Sequence, residues 1–169
     1  MPITGSFQIA GNVGNTLGTP ENRSGVMYDA ISQTYPFTNG VAATQNNKVW
    51  SDRRTVAFGA TDTIDLIGGG LLDVFGAAVA FTSVTGILIY NRNIVAGDVL
   101  RFGPAAANPF QWVFSPGAGV YVEVGVTGAY SQWVDAAKVV VAGASDQISI
   151  VNASLANPIE YDILIIGRG

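Results

Sequence analysis

The sequence predicts an all-β protein, an antiparallel β-sandwich of jelly-roll or related Greek-key connectivity with an extended N-terminal arm. Three observations lead there. Val, Ile, Thr and aromatic residues run through a chain of 169 residues that also holds 21 glycines and 7 prolines, a balance that favours strands and turns over helices. From Arg54 onward, short apolar segments alternate with turn residues, and no ten-residue helical period separates them, which disfavours a parallel α/β sheet. The length suits a single domain with a real core, or one domain plus an arm.

Residues 1–54 are the expected arm, built of short strands and loops, and 55–169 the expected sandwich domain. The arm has scattered polar residues, six glycines and no sustained period. A structureless run of that length is uncommon in a compact domain unless it has a role. Its segment VMYDAISQTYPF carries Met27, Tyr28, Ile31, Tyr35 and Phe37, too apolar for a free linker, so these anchors are expected to pack on the core or on a neighbouring subunit.

The sandwich strands begin with TVAF and DTIDLIG, the latter placing Ile64 and Leu66 on one face and Thr63 and Asp65 on the other. GGGLLDVFG reads as a glycine-bounded connection with room for a short helical turn. VAFTSVTGILIYNR is the longest strand candidate, with Gly86 as an expected bulge or bend. DVLRFG, FQWVF, GVYVEVG, AKVVVAG, DQISIVN and IEYDILIIG complete the set. Turns are expected at VAGD (95–98), SPGAG (115–119) and AGASD (142–146), where Gly supplies positive φ or Pro a fixed one.

The ending YDILIIGRG has the look of a dinucleotide-binding opening, a buried strand running into a glycine turn. That site holds its anion on the N–H groups of a following helix. No helix and no later acidic residue follows in this sequence, so the expectation is a closing β-strand and no cofactor.

Composition narrows the chemistry. The chain has no cysteine and no histidine, which removes disulfides, thiolate zinc sites, cysteine nucleophiles and every mechanism built on imidazole. A net charge of −4, with Lys48 and Lys138 the two lysines, argues against nucleic acid as a partner, because phosphate affinity comes from clustered Lys and Arg. The N-terminal stretch lacks the basic and apolar regions of a secretory signal. Two uncharged windows, 74–91 and 102–122, are broken by proline, glycine and hydroxyl residues, so no membrane span is expected.

The acidic residues offer paired carboxylates at Asp62, Asp65 and Asp73 and at Glu160 and Asp162. Glycoside hydrolysis uses such pairs, but spacing alone supports that chemistry here, and a solvated outer face with turn ends is the simpler reading; no catalytic residue is assigned. Asp62 and Asp65 lack the alternating acids and late bidentate glutamate of a calcium loop, so no metal is expected. Trp50-Ser51-Asp52-Arg53-Arg54 is the charge cluster at the arm boundary. An arginine clamp on a partner's carboxylates is the functional reading of Arg53 and Arg54, since the planar fork orients as well as attracts; a surface salt bridge worth under about 1 kcal/mol is the plain one. With Tyr28, Tyr35, Phe37 and Trp50 these arginines form the expected partner-binding set. Trp112, Tyr121, Tyr130 and Trp133 form the alternative, a sugar-stacking platform, against the commoner use of such rings in cores and interfaces.

The stretch NKVWSDRRTVAFGATDTIDLIGGGLLDVFGAAVAFTSVTGILIYNRN, then AGDVLRFG and YDILIIGRG, resembles small virion proteins of tailed bacteriophages that accompany the head, over roughly residues 48 to 169. The resemblance implies a capsid decoration or cement protein made in the bacterial cytoplasm. It would sit on the capsid surface, bind the major capsid protein or another virion protein, and form a homo-oligomer, a trimer by analogy. It carries no catalytic or cofactor residue. Charged residues at 12% against 49% apolar are compatible with a protein that lives in an assembly, where neutral surface becomes buried contact. The alternative is a carbohydrate- or receptor-binding module of a phage fibre or tail. A genome-packaging coat protein fits poorly, because residues 1–54 hold four basic and three acidic residues.

Overall fold

The computed structural model describes residues 5–18, 24–42, 45–68, 70–73, 75–112 and 120–169; over 5–18 and 24–37, and at Asp135, the description is of the backbone alone. The strands are β1 (Gly5–Gly18), β2 (Ser24–Asn39), β3 (Gln45–Asn46), β4 (Lys48–Val56), β5 (Thr61–Asp65), β6 (Leu71–Leu72), β7 (Ala78–Val79), β8 (Ser83–Asn91), β9 (Leu100–Pro104), β10 (Val122–Val124), β11 (Ala129–Val139), β12 (Gln147–Asn152) and β13 (Ile159–Arg168). Among the described residues there is no helix, and none long and apolar enough to cross a membrane.

Two four-stranded antiparallel sheets form a sandwich, one ordered β11-β8-β13-β4 and the other β10-β9-β12-β5. Period-two alternation builds it. In β13, Ile159, Tyr161, Ile163 and Ile165 are buried while Glu160, Asp162 and Leu164 between them are not. In β12, Ile148, Ile150 and Asn152 are buried, with half-buried residues between. These inner faces meet Ile87, Ile89, Leu100 and Phe102 in a single core. Fully burying a side chain of this size contributes about 1.5–3 kcal/mol. Phe81, Leu66, Leu71, Val79, Phe110 and Trp112 extend the core beyond the two four-stranded sheets.

The pairing is nested. β4 pairs with β13, β5 with β12, β8 with β11, and β9 with β10, so that the first of the eight sandwich strands lies beside the last. Side-chain amides, those of Asn91 and Asn152 buried and that of Asn93 half-buried, tie together the loops at 57–60, 92–99, 125–128 and 153–158 and the strand ends beside them. Asn152 donates to the Val56 carbonyl at 3.0 Å and the Asn157 carbonyl at 2.8 Å. Asn91 donates to the carbonyls of Asp98 at 2.9 Å and Val124 at 3.1 Å. Asn93 reaches Asp98 Oδ2 and the Pro158 carbonyl, each at 2.9 Å. Every one of these amides closes a turn, which is why polar residues survive at buried positions.

Several expectations need correction in detail. The arm contains a long antiparallel ribbon, β1 on β2, running from Gly5 opposite Phe37 to Gly18 opposite Ser24; Gly11 and Asn15 interrupt the row of alternate apolar residues Phe7, Ile9, Val13 and Leu17 and hide its period. The expected boundary at residue 54 falls inside β4, which belongs to the sandwich. GGGLLDVFG forms no helical turn over its described residues and instead supplies the small β6–β7 hairpin. FQWVF is no strand over residues 110–112, where Phe110 and Trp112 fold inward as a plug; Val113 and Phe114, like the SPGAG turn, lie outside the described residues. β11 starts at Ala129, well before AKVVVAG. The irregularity expected at Gly86 sits beside it, where β13 passes from Ile166 opposite Gly86 to Gly167 opposite Val84 and leaves Thr85 unmatched. The VAGD turn forms as expected, with Gly97 at φ 92°.

At that bulge β13 runs close against β8. A Cβ added to Gly167 would stand 2.1 Å from the Ser83 carbonyl oxygen. Gly167→Ala should therefore displace the β13–β8 ladder and cost about 1–3 kcal/mol, read as a lower urea midpoint with an unchanged slope.

Candidate interaction surface

The register of β4 on β13 sets the geometry of the boundary charge cluster. Arg54 stands opposite Tyr161, and Arg53 opposite Asp162. Because strand residues alternate faces, Trp50, Asp52, Arg54 and Val56 share the inward side of β4, and Arg53 stands on the outer side. Trp50 is 3% exposed and Val56 2%. Asp52 and Arg54 thus project inward from the rim of one sheet, toward the rim strand β5 of the other.

There Arg54 engages Asp62 with both arms of its fork, Nε donating to Oδ2 at 2.5 Å and Nη2 to Oδ1 at 2.9 Å. Tyr161 donates its hydroxyl to Asp62 Oδ2 at 2.7 Å, and Arg54 Nη1 reaches Asp52 Oδ2 at 3.2 Å. One carboxylate from β5 thereby joins two strands of the opposite sheet. Burial alone would raise the Asp62 pKa, but the hydrogen bonds from Arg54 and Tyr161 and the Arg54 charge outweigh it and hold the carboxyl below its usual range. Burial and the bond to Asp62 push the Tyr161 phenol upward, so it remains a donor. The bond to Asp62 raises Arg54 against its partial burial. An open depression of about 440 Å³ lies beside this group, lined by residues including Ala57, Ala60 and Asp62. Its acid is ionised and already coordinated by arginine, so the group serves as a polar tie between sheets.

On the outer face, Arg53 Nε lies 2.8 Å from Asp162 Oδ1, Arg92 Nη1 lies 2.7 Å from Asp162 Oδ2, and Arg92 Nε lies 3.3 Å from Glu160 Oε2. The bond from Arg53 first, then that from Arg92, against slight burial, keep Asp162 below its usual pKa. Glu160 and Asp162 share one strand face as the sequence suggests, and two arginines neutralise their repulsion. Beyond this charged half, the same face turns apolar, with Val49, Leu88, Trp133, Leu164 and Ile166 packed together.

Among the described side chains, the expected partner-binding residues Trp50, Arg53 and Arg54 do not share one face. Trp50 is a core residue, and Arg53 and Arg54 pair with acids of their own chain. The side chains of Tyr28, Tyr35 and Phe37 lie outside the described ones; their backbones belong to β2. The sugar platform is likewise dispersed. Trp112 is 2% exposed, with its ring 6.1 Å from that of Phe110. Tyr130 faces the core, its ring 5.3 Å from Phe102. Trp133, three residues on, takes the opposite side of β11 and lies over Gly86, where an added Cβ would stand 3.0 Å from the indole. Tyr121 is 43% exposed beneath the guanidinium of Arg101, 4.5 Å from its ring centre. The rings thus point to the core, the outer sheet face and the opposite sheet's rim.

Asp65 and Asp73, the other two acids of the first carboxylate group, close turns. Asp65 Oδ1 accepts from the N–H groups of Ile67 at 3.0 Å and Gly68 at 2.6 Å. Asp73 Oδ1 accepts from those of Phe75 at 2.9 Å and Ala77 at 2.8 Å. Among the described residues, no three His, Cys, Asp or Glu side chains gather as a metal-binding group. No local pattern signals the Arg54–Asp62–Tyr161 tie, because it depends on which strands meet across the core.

No protein-family model matches the chain, and comparison with curated proteins and with solved structures yields no match.

Asp62→Asn removes the charged acceptor of Arg54 and Tyr161 and should cost about 1.5–3 kcal/mol, whereas Asp162→Asn on the solvated face should cost under about 1 kcal/mol. Since the folded pKa of Asp62 is depressed, its stabilisation is fully present above the unfolded value of about 3.9 and is lost as pH falls through the lower folded value. Thermal melts between pH 2 and 6 should show a shallower acid limb for Asp62→Asn than for the parent.

Proposed function

We propose that this protein is a structural component of a tailed-phage virion, a capsid decoration or cement protein that bridges neighbouring shell subunits. The observation that carries this reading is the pairing of a stiff sandwich with a long backbone ribbon, β1 on β2, whose two strands hold one charged residue. A two-stranded ribbon is marginal by itself in water, so a ribbon of 14 paired positions makes physical sense as an element completed by a neighbour. The arginines at the boundary are committed to the chain's own acids, which leaves apolar and hydrogen-bonding contact as the available attachment chemistry.

The nested strand order is the reason we read the sandwich as a jelly roll, an architecture used in viral shells. Fold likeness alone assigns no role, so the weight rests on the ribbon. In the mechanism, the sandwich serves as a rigid body, its loops fixed by the buried amides, and the N-terminal segment lies across the adjoining protein. Individual contacts of this kind are modest, and symmetry repeats them over the whole shell.

Purified protein added to undecorated phage heads and imaged by electron microscopy should show specific, saturable occupancy. Absence of binding, together with a saccharide-dependent change in tryptophan fluorescence, would shift the reading to a fibre or tail carbohydrate module. Removing residues 1–47 should leave a folded sandwich, since β4 begins at Lys48, while lowering occupancy at least tenfold; unfolding of the truncated chain would mean that the arm belongs to the core.

A further inference from the structure

We propose that the β1–β2 ribbon is a self-association element whose apolar face docks on the same face of a second copy of this chain. The inference rests on the assembly reading above for the use made of the oligomer, and on the register for its geometry. Residues directly opposite in an antiparallel pair share a face, and the face alternates along each strand. Phe7 is opposite Tyr35, Ile9 opposite Gln33, Gly11 opposite Ile31, and Gly5 opposite Phe37. One face of the ribbon therefore collects the positions of Phe7, Ile9, Ile31, Tyr35 and Phe37 near its base. Val13 and Leu17 continue it outward. Near the base the other face takes the positions of Ser6, Gln8, Asn12, Ser32 and Thr34 with small or ring residues Ala10, Ala30 and Pro36 between them, and Tyr28 and Val26 lie farther out on it.

Charge and length select the occupant. The 14 residues of β1 and 16 of β2 include one charged residue, Asp29, which stands at the rung of Val13, outside the dense apolar stretch. At about 3.4 Å per residue the ribbon extends roughly 48 Å. A matching surface must be apolar, nearly uncharged and elongated. The outer face of the β11-β8-β13-β4 sheet is none of these over such a distance, because it passes from Leu88 and Leu164 to the Arg53–Asp162–Arg92 network within one step of the ladder. The same ribbon face in another copy meets all three requirements, and face-to-face packing of two ribbons converts two marginal hairpins into one two-layered unit.

The test is sedimentation velocity on the full chain at tens of micromolar, with substitutions on each face. Wild type should sediment as an oligomer. A double variant Ile9→Ser/Tyr35→Ser should dissociate with at least a tenfold weaker constant, near-UV circular dichroism of the sandwich unchanged. Gln8→Ser/Thr34→Ser, on the opposite face, should stay oligomeric. Because the chain has no cysteine, Ile31→Cys should give disulfide-linked dimers on mild oxidation and Ser32→Cys should not. A monomeric wild type, equal behaviour of the two double variants, or cross-linking of Ile31→Cys to a shell protein instead of to itself would overturn the proposal. Head binding separates the two readings: a monomer that still saturates heads sinks self-docking alone, and an oligomer that ignores heads supports self-docking while sinking the virion role.

Discussion

Strand β13 is paired along both edges, to β4 and β8, and buries one face against the opposite sheet. The remainder of the sandwich is organised around that placement. Its alternation fixes which way every neighbour must face, because slipping by one residue would bring Glu160 and Asp162 inward and send Tyr161, Ile163 and Ile165 to solvent. Tyr161 adds a polar anchor to this apolar constraint, reaching across the core to Asp62 on β5. The outer edges of the two sheets, β4 and β5, therefore carry inward-facing charges that satisfy each other. An edge strand with inward charge resists pairing with a stranger's backbone, so the tie both closes the sandwich and limits its growth at that side.

How much of this could be read from the residues depends on whether the signal was local. The strands β12 and β13 were legible since QISI and IEYDI alternate between polar and apolar residues and the apolar run LII continues the second. β11 was found only at its end because Tyr130 and Trp133 serve opposite faces and its register breaks between Trp133 and Lys138. Gly11 and Asn15 masked the period of β1. Trp50 and Trp112 invited a surface role, yet both are core residues, and their burial depends on tertiary neighbours that spacing does not reveal. The arginine cluster was visible as a cluster; its partners, at Asp62 and Asp162, are fixed only by strand pairing across the fold. Turn chemistry was the most transferable signal, as at Gly97, because the backbone conformation there is a local matter.

On the proposed reading, a low count of charged residues serves an assembly protein in two ways. Within the sandwich, arginine forks are taken up by the chain's own carboxylates, which spares neighbouring proteins the desolvation of unpaired charge. In the ribbon, the near absence of charge permits close approach of neutral backbone and apolar residues. Rigid loops held by Asn91, Asn93, Asn152 and Asn157 complement this, because a connector that yields would not transmit restraint from one subunit to the next.

The nested strand order also governs how the chain reaches this state. β4 has its ladder partner in β13, more than a hundred residues later in the sequence. At ribosomal speeds of about 5–20 residues per second, the interval between them lasts on the order of ten seconds. Local hairpins offer no shortcut for that pairing, so loop-closure entropy must be met before the ladder rewards it, and folding belongs to the slow, millisecond-to-second class of β-rich proteins. Until β13 arrives β4 lacks its ladder partner, and the charges of Asp52, Arg53 and Arg54 disfavour its pairing with other chains. The residues that later lock the two sheets together thus guard the unfinished polypeptide first.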